Sequence, residues 1–225
     1  MVKQNVYFFG DSYTEGLPLK NTPYIWPKLI TEALKEYSYK NYAQGGASPQ
    51  FIVNQVIKAL PNIKSGDKVF LLETVPDRIE IYSQYKDKVV SVTNTAIVNA
   101  LEQTSTLDNE YFSNEQEVKS AFNFMYDHRY KRLGNFGKYF SKIYSDFGTY
   151  FKSSGVEFIH LPYSLSFNNI PTGEMFETIT KQTKGVTVDG HFSVSGHWQF
   201  ANYILGKYYK DFDYELPPLR DKLLI

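Results

Sequence analysis

The 225-residue chain contains no cysteine, and its 24 basic side chains are matched by 24 acidic ones. The first absence removes disulfides, thiolate nucleophiles and cysteine-based metal sites, so any catalysis must use oxygen or nitrogen groups. The second leaves a formal net charge of zero, which gives no electrostatic footprint for nucleic acid or an anionic membrane. No run of about twenty apolar residues occurs, so no membrane span is expected. The apolar stretch within MVKQNVYFFGDSY is too short for the core of a signal peptide, and a cytoplasmic location is the expectation. There is no internal repeat, low-complexity tract or dividing linker, and the length suits one domain, residues 1–225, with a substantial core.

Aromatic residues are abundant, with 19 Tyr and 17 Phe, more phenolic hydroxyls than a core can satisfy. Two readings follow: a ring-lined surface for flat, hydroxylated ligands such as sugars, or a compositional bias of the genome. Short β-branched or aromatic runs alternate with longer amphipathic stretches, the pattern of a parallel sheet flanked by helices in an α/β fold. Strands are expected at Asn5–Phe9, Tyr39–Tyr42, Lys68–Glu73 and Val156–Leu161. Helices are expected at Trp26–Glu36, Pro49–Leu60 and Ser195–Tyr209, the last with Ser195 as N-cap. Glu115–Ser153 carries helical periodicity with a break near Gly134 or Gly137. From about residue 82 to 114 the pattern weakens into Ser, Thr and Asn, an irregular insertion suited to a lid or substrate wall.

Three stretches carry chemistry. Residues 6–16, VYFFGDSYTEG, put Gly10-Asp11-Ser12 at the end of the first strand, the carboxyl edge where open α/β proteins build their sites. Ser12 is then either a nucleophile or part of a helix cap made by Asp11, Ser12 or Thr14. Asn41-Tyr-Ala-Gln-Gly-Gly-Ala-Ser48 follows the second strand, and its paired glycines either aim backbone N–H groups at a ligand or serve a turn needing positive φ. In Val188-Asp-Gly-His-Phe-Ser-Val-Ser-Gly-His197, Asp189 can hold the Nδ1 of His191 while Nε2 faces a serine, the arrangement a general base requires.

These three blocks, in this order, resemble the SGNH or GDSL hydrolases. The resemblance runs from the first strand to the closing helix, and it implies a three-layer α/β/α fold of flavodoxin-like type with a central parallel sheet. It also implies Ser12 as nucleophile, His191 as base, Asp189 as its orienter, and the N–H groups of Ser12 and Gly46 as oxyanion donors. The family's third block departs: where Gly-x-Asn-Asp is usual, this chain reads Thr74-Val-Pro-Asp-Arg78. The side-chain oxyanion donor is missing, and an ionised Asp77 would repel the developing charge. Arg78 is therefore a candidate to complete the oxyanion hole or to hold an acidic group on the substrate, against the alternative of a surface ion pair with Asp77 or Glu80. Asp11 joins Gly46 and Arg78 as a candidate for lining that hole.

Of the other histidines, His160 reads as a core residue, His128 as solvated helix face, and His197 as part of the closing helix rather than of a metal site with His191 and Asp189. No metal and no cofactor is expected. The resulting expectation is a metal-independent serine esterase acting on a small-molecule or glycan ester, with short acyl groups on carbohydrate preferred. An O-acyltransferase on the same fold, and a decayed domain that binds a glycan or a protein, are the alternatives.

Overall fold

The computed structural model describes residues 3–74, 78–83, 88–92, 115–126, 136–162, 191–211 and 214–217. Four strands, β1 (Gln4–Phe9), β2 (Tyr37–Asn41), β3 (Lys68–Leu72) and β6 (Glu157–Leu161), form one parallel sheet in the order β2-β1-β3-β6. β1 and β3 read as unbroken apolar runs because both of their faces are covered. Val6, Phe8, Phe70 and Leu72 face helices α2 (Trp26–Ala33) and α6 (Val194–Tyr208), while Tyr7, Phe9, Val69 and Leu71 face α3 (Pro49–Ala59) and α5 (Phe136–Ser153). The outcome is three layers, α/β/α. Each fully buried Phe or Leu in these faces contributes roughly 1.5–3 kcal/mol of transfer free energy, and the rings also interlock. Phe8 stacks on Phe70 at 5.2 Å, and Trp26 meets Phe8 edge-on at 5.3 Å.

Several boundaries differ from those expected, each for a local reason. α2 stops at Ala33 rather than Glu36, because Lys35 takes a left-handed backbone (φ 47°) that no helix continues through. β2 consequently starts at Tyr37, two residues early, which lets Tyr37 and Tyr39 pack against the core. α3 gives way to a 3-10 turn at Leu60–Asn62, where Pro61 removes a helix donor. Gly137 lies inside α5 and does not break it. α6 is capped by Ser193, whose hydroxyl accepts from the Gly196 N–H at 3.3 Å; Ser195 sits within the first turn.

The expected irregular insertion contains ordered structure where it is described. β4 (Ile79–Ser83) and β5 (Lys88–Val92) pair antiparallel as a ribbon apart from the main sheet. Ile79 and Ile81 of the ribbon, with Val90 and Val92, pack on Val118 and Ala121 of α4 (Glu115–Tyr126). No described helix is long and apolar enough to cross a membrane.

Candidate active site

Strand β1 ends at Phe9, and the chain turns through Gly10 into the one-turn helix α1 (Ser12–Glu15). Gly10 is needed for close approach: a Cβ there would fall 2.2 Å from Thr14 Oγ1 and 3.3 Å from the Leu72 carbonyl. Asp11 caps α1, its Oδ1 accepting from the Tyr13 N–H at 3.1 Å. The cap and the serine are thus different residues, and Ser12 occupies the first helical position at the carboxyl edge of the sheet, 4% exposed.

Asp11 is 1% exposed, and its other oxygen accepts from Thr74 Oγ1 at 2.9 Å and from the Arg78 guanidinium at 3.2 Å. Burial pushes this carboxyl above its ordinary range, opposed by Arg78, by the hydrogen bonds from Thr74 and Tyr13, and by the charge of His191. All its hydrogen-bond partners donate, which is the environment of a carboxylate rather than of an acid. Arg78, 19% exposed, also donates to Thr74 Oγ1 at 3.0 Å and to the Ala47 carbonyl at 3.4 Å. Its ion pair is therefore with Asp11, not with Glu80. One guanidinium joins the serine turn, the segment after β3 and the glycine loop.

That loop, residues 42–48, is held from three sides. Asn41 donates to the Thr14 carbonyl at 2.9 Å and accepts from the Ala43 N–H at 3.0 Å. Glu15 accepts from the Gly45 N–H at 2.6 Å. Gly45 lies so close to α1 that a Cβ on it would be 3.8 Å from Ser12 Cβ and 2.8 Å from Leu17 Cδ1. Gly46 has φ 74°, and a Cβ on it would meet nothing within 4 Å. Its N–H and that of Ser12 make no hydrogen bond among the described residues. The positive φ of Gly46 is what the turn reading of the paired glycines requires.

His191 precedes α6. Its ring lies 5.5 Å from that of Tyr13, the residue after Ser12, and the neighbouring Phe192 is buried 4.9 Å from the same tyrosine ring. The charge of His191 acts on both Asp11 and His197. His197 is fully buried, with Nδ1 accepting from the Trp26 N–H at 3.3 Å, and burial, then His191, pushes it down to about 3. A neutral histidine whose Nδ1 accepts carries its proton on Nε2. His197 is thus a structural bridge between α6 and α2, and Trp26 extends it by donating its indole N–H to the Tyr13 carbonyl at 3.0 Å. His160 is not a core residue as expected: it is half-buried and lies 2.7 Å from Glu73. Asp189, Asp77 and His128 lie outside the described residues. Among the described residues no group of three His, Asp or Glu side chains could hold a metal.

The His191 ring thus neighbours Tyr13, the residue after Ser12, and Gly45 approaches Ser12 from the loop. The supporting residues that sequence reasoning passed over are Glu15, Asn41, Thr74 and Trp26. Glu15, Asn41 and Thr74 stood in blocks already singled out and Trp26 did not, but nothing local marked Glu15 or Trp26 as partners of residues 30 and 171 positions away.

No protein-family model matches the chain, and no curated protein matches it. Similar solved structures include the lipase/acylhydrolase from Enterococcus faecalis, at 13% identity over 95% of this chain and 100% of that one, with a TM-score of 0.44. A member of the lipolytic protein G-D-S-L family from Veillonella parvula shares 11% identity over 92% of this chain and 99% of that one, TM-score 0.43. Phospholipase A1 from Streptomyces albidoflavus shares 17% identity over 95% of this chain and 78% of that one, TM-score 0.37.

Proposed function

We propose that the chain is a serine esterase of the SGNH type, cleaving short acyl esters carried on carbohydrate through an acyl-enzyme. Ser12 attacks the ester carbonyl, His191 takes its proton and returns it to the leaving alcohol, and Asp189 orients the imidazole. Water activated by the same histidine then releases the acid. The N–H groups of Ser12 and Gly46 stabilise the oxyanion.

The observation that carries this reading is the seating of the glycine loop against the serine. Gly45 lies against the serine turn and gives its N–H to Glu15, while the N–H of Gly46, at positive φ, makes no hydrogen bond among the described residues. A turn that only reversed the chain would not need an amide held free at that point. The Nη1 of Arg78 is engaged by Asp11, Thr74 and Ala47, so this side chain positions the serine turn and the loop relative to each other. The hole then rests on backbone donors, and the want of a side-chain donor costs roughly a hundredfold in rate.

A fluorophosphonate probe tests the assignment, with the adduct located by mass spectrometry in the wild type and in Ser12→Ala and His191→Ala. The expected result is a Ser12 adduct that is lost in the first variant and strongly slowed in the second. A folded wild type that carries no adduct at Ser12 overturns it.

A further inference from the structure

Two titratable side chains at the carboxyl edge of the sheet take no part in the proposed chemistry: Glu73, just past β3, and His160, on β6. In the parallel pairing of these strands His160 stands opposite Leu71, and Glu73 follows Leu71 by two residues, so both side chains emerge on the face covered by α5. There the imidazole Nε2 lies 2.7 Å from Glu73 Oε1; a carboxylate only accepts, so Nε2 is the donor. The Glu73 N–H in turn donates to the Leu161 carbonyl at 2.9 Å, one step beyond the last residue of β3. Glu73 is thereby tied to β6 through both its backbone and its side chain. The imidazole is itself packed among rings, with that of Tyr144 on α5 at 5.3 Å and that of Phe158 nearly parallel at 6.3 Å. Tyr144 is buried, and burial, then the charge of Glu73, pushes its hydroxyl up, which keeps it a neutral phenol.

We propose that His160 and Glu73 are positioning residues: they hold the chain where it leaves β3, so that Thr74 keeps Asp11, and Asp11 the serine turn, in the reactive arrangement. The inference rests on Ser12 being the nucleophile. Its route is continuous. Thr74 follows Glu73 directly, is buried, and donates its hydroxyl to Asp11 Oδ2 at 2.9 Å. The other oxygen of Asp11 caps α1, whose first residue is Ser12. Stability alone does not account for the pair. The cluster on this face is largely apolar, with Phe140, Phe151 and Phe158, and an acid and an imidazole placed against it lose to desolvation most of what their attraction gains. Apolar side chains of the same size would hold β3 to β6 as well, but without direction. A hydrogen bond across the two strands fixes the Glu73 side chain, and with it the course of the chain into Thr74, more narrowly than ring packing does. Displacing a reactive group by about 1 Å costs on the order of a hundredfold in rate, so a pair that is nearly neutral for folding is still large for reactivity.

The test reads the rate at which a fluorophosphonate labels Ser12, which needs no knowledge of the ester, in the full-length wild type and in two variants that separate the bond from the ring. His160→Phe keeps an aromatic ring beside Tyr144 and drops the donor, whereas His160→Gln keeps an N–H donor and drops the ring. With each protein shown to be folded by a thermal melt, labelling is expected to slow roughly ten- to hundredfold in His160→Phe and to stay within about threefold of wild type in His160→Gln. Slowing in both variants alike, in neither, or in His160→Gln alone overturns the proposal. Should His160→Phe fail to fold, His160→Leu makes the same comparison. Thr74→Val tests the route: when His160 acts through Thr74, the double variant is slowed no more than the slower single one, and effects that multiply overturn the proposal. A wild type that is not labelled at Ser12 removes the nucleophile and this inference with it. A labelled wild type beside an equally reactive His160→Phe removes this inference alone.

Discussion

Replacing Arg78 with methionine removes the only cation hydrogen-bonded to the buried Asp11 carboxylate among the described residues, and keeps most of the stem's volume. Removing one partner of a buried pair costs about 3–5 kcal/mol, because the charge left behind is desolvated and uncompensated. Asp11 retains its bonds from Thr74 and the Tyr13 N–H, and Arg78 is 19% exposed, so water replaces part of the guanidinium. The low end applies, about 3 kcal/mol, or roughly 6–12 °C in Tm for a chain of this size. The penalty depends on pH with a definite sign. Burial already raises Asp11 above its unfolded value, so the ionised form costs stability above the folded pKa and that cost disappears as pH falls below the unfolded one. Loss of Arg78 raises the folded value further. The gap between wild type and variant therefore widens as pH rises through the folded pKa values and narrows on acidification as both carboxyls become protonated. Urea denaturation between pH 4 and 8 measures it. A double variant with Asp11→Asn, which keeps an acceptor for Tyr13 without the charge, recovers most of the loss at pH 7. A gap that stays constant with pH, or that Asp11→Asn leaves in place, refutes the electrostatic account.

His197 gives the opposite pH signature. Its pKa is pushed down to about 3, so the unfolded chain takes up a proton that the folded one refuses, and stability is lost as pH falls below about 6.5, by up to about 1.4 kcal/mol per pH unit. His197→Gln, which preserves an acceptor for the Trp26 N–H, should lose that slope between pH 6.5 and 4 in urea titrations. The two glycines differ in kind. Gly10→Ala drives a Cβ into Thr14 and the Leu72 carbonyl and should cost about 1–3 kcal/mol. Gly46→Ala meets no atom within 4 Å and carries only the left-handed backbone cost of about 1–2 kcal/mol, yet its methyl enters the space the ester would occupy. Ester turnover in Gly46→Ala should therefore fall by more than its stability loss explains, read from kcat/KM beside a thermal melt.

The strands were legible because burial on both faces writes a simple signal: VYFF and VFLL need no periodicity to be recognised. The serine turn was legible too, as a glycine and two oxygen-bearing residues at a strand end. Partner choice was not. Arg78 stands 67 residues from Asp11, and nothing near it distinguishes that carboxylate from Glu80, two positions away; only the parallel pairing of β1 with β3 brings the ends of those strands together. The ribbon was missed although Ile79 to Tyr82 alternates as strands do, because no Asn-Gly or similar turn marks a hairpin between the two runs. Ser193 and Ser195 are equally good caps in composition, and the choice between them follows from Phe192, which must reach the core just before the helix begins.

The bond from the Gly45 N–H to Glu15, with Asn41 bracing the same loop, has a kinetic consequence under the proposed chemistry. Glycine is the residue with the most backbone freedom to lose, and here that freedom is surrendered during folding. A donor already in place needs no rearrangement when negative charge appears on the substrate, so the reorganisation that water would undergo in solution is absent from the barrier at every turnover.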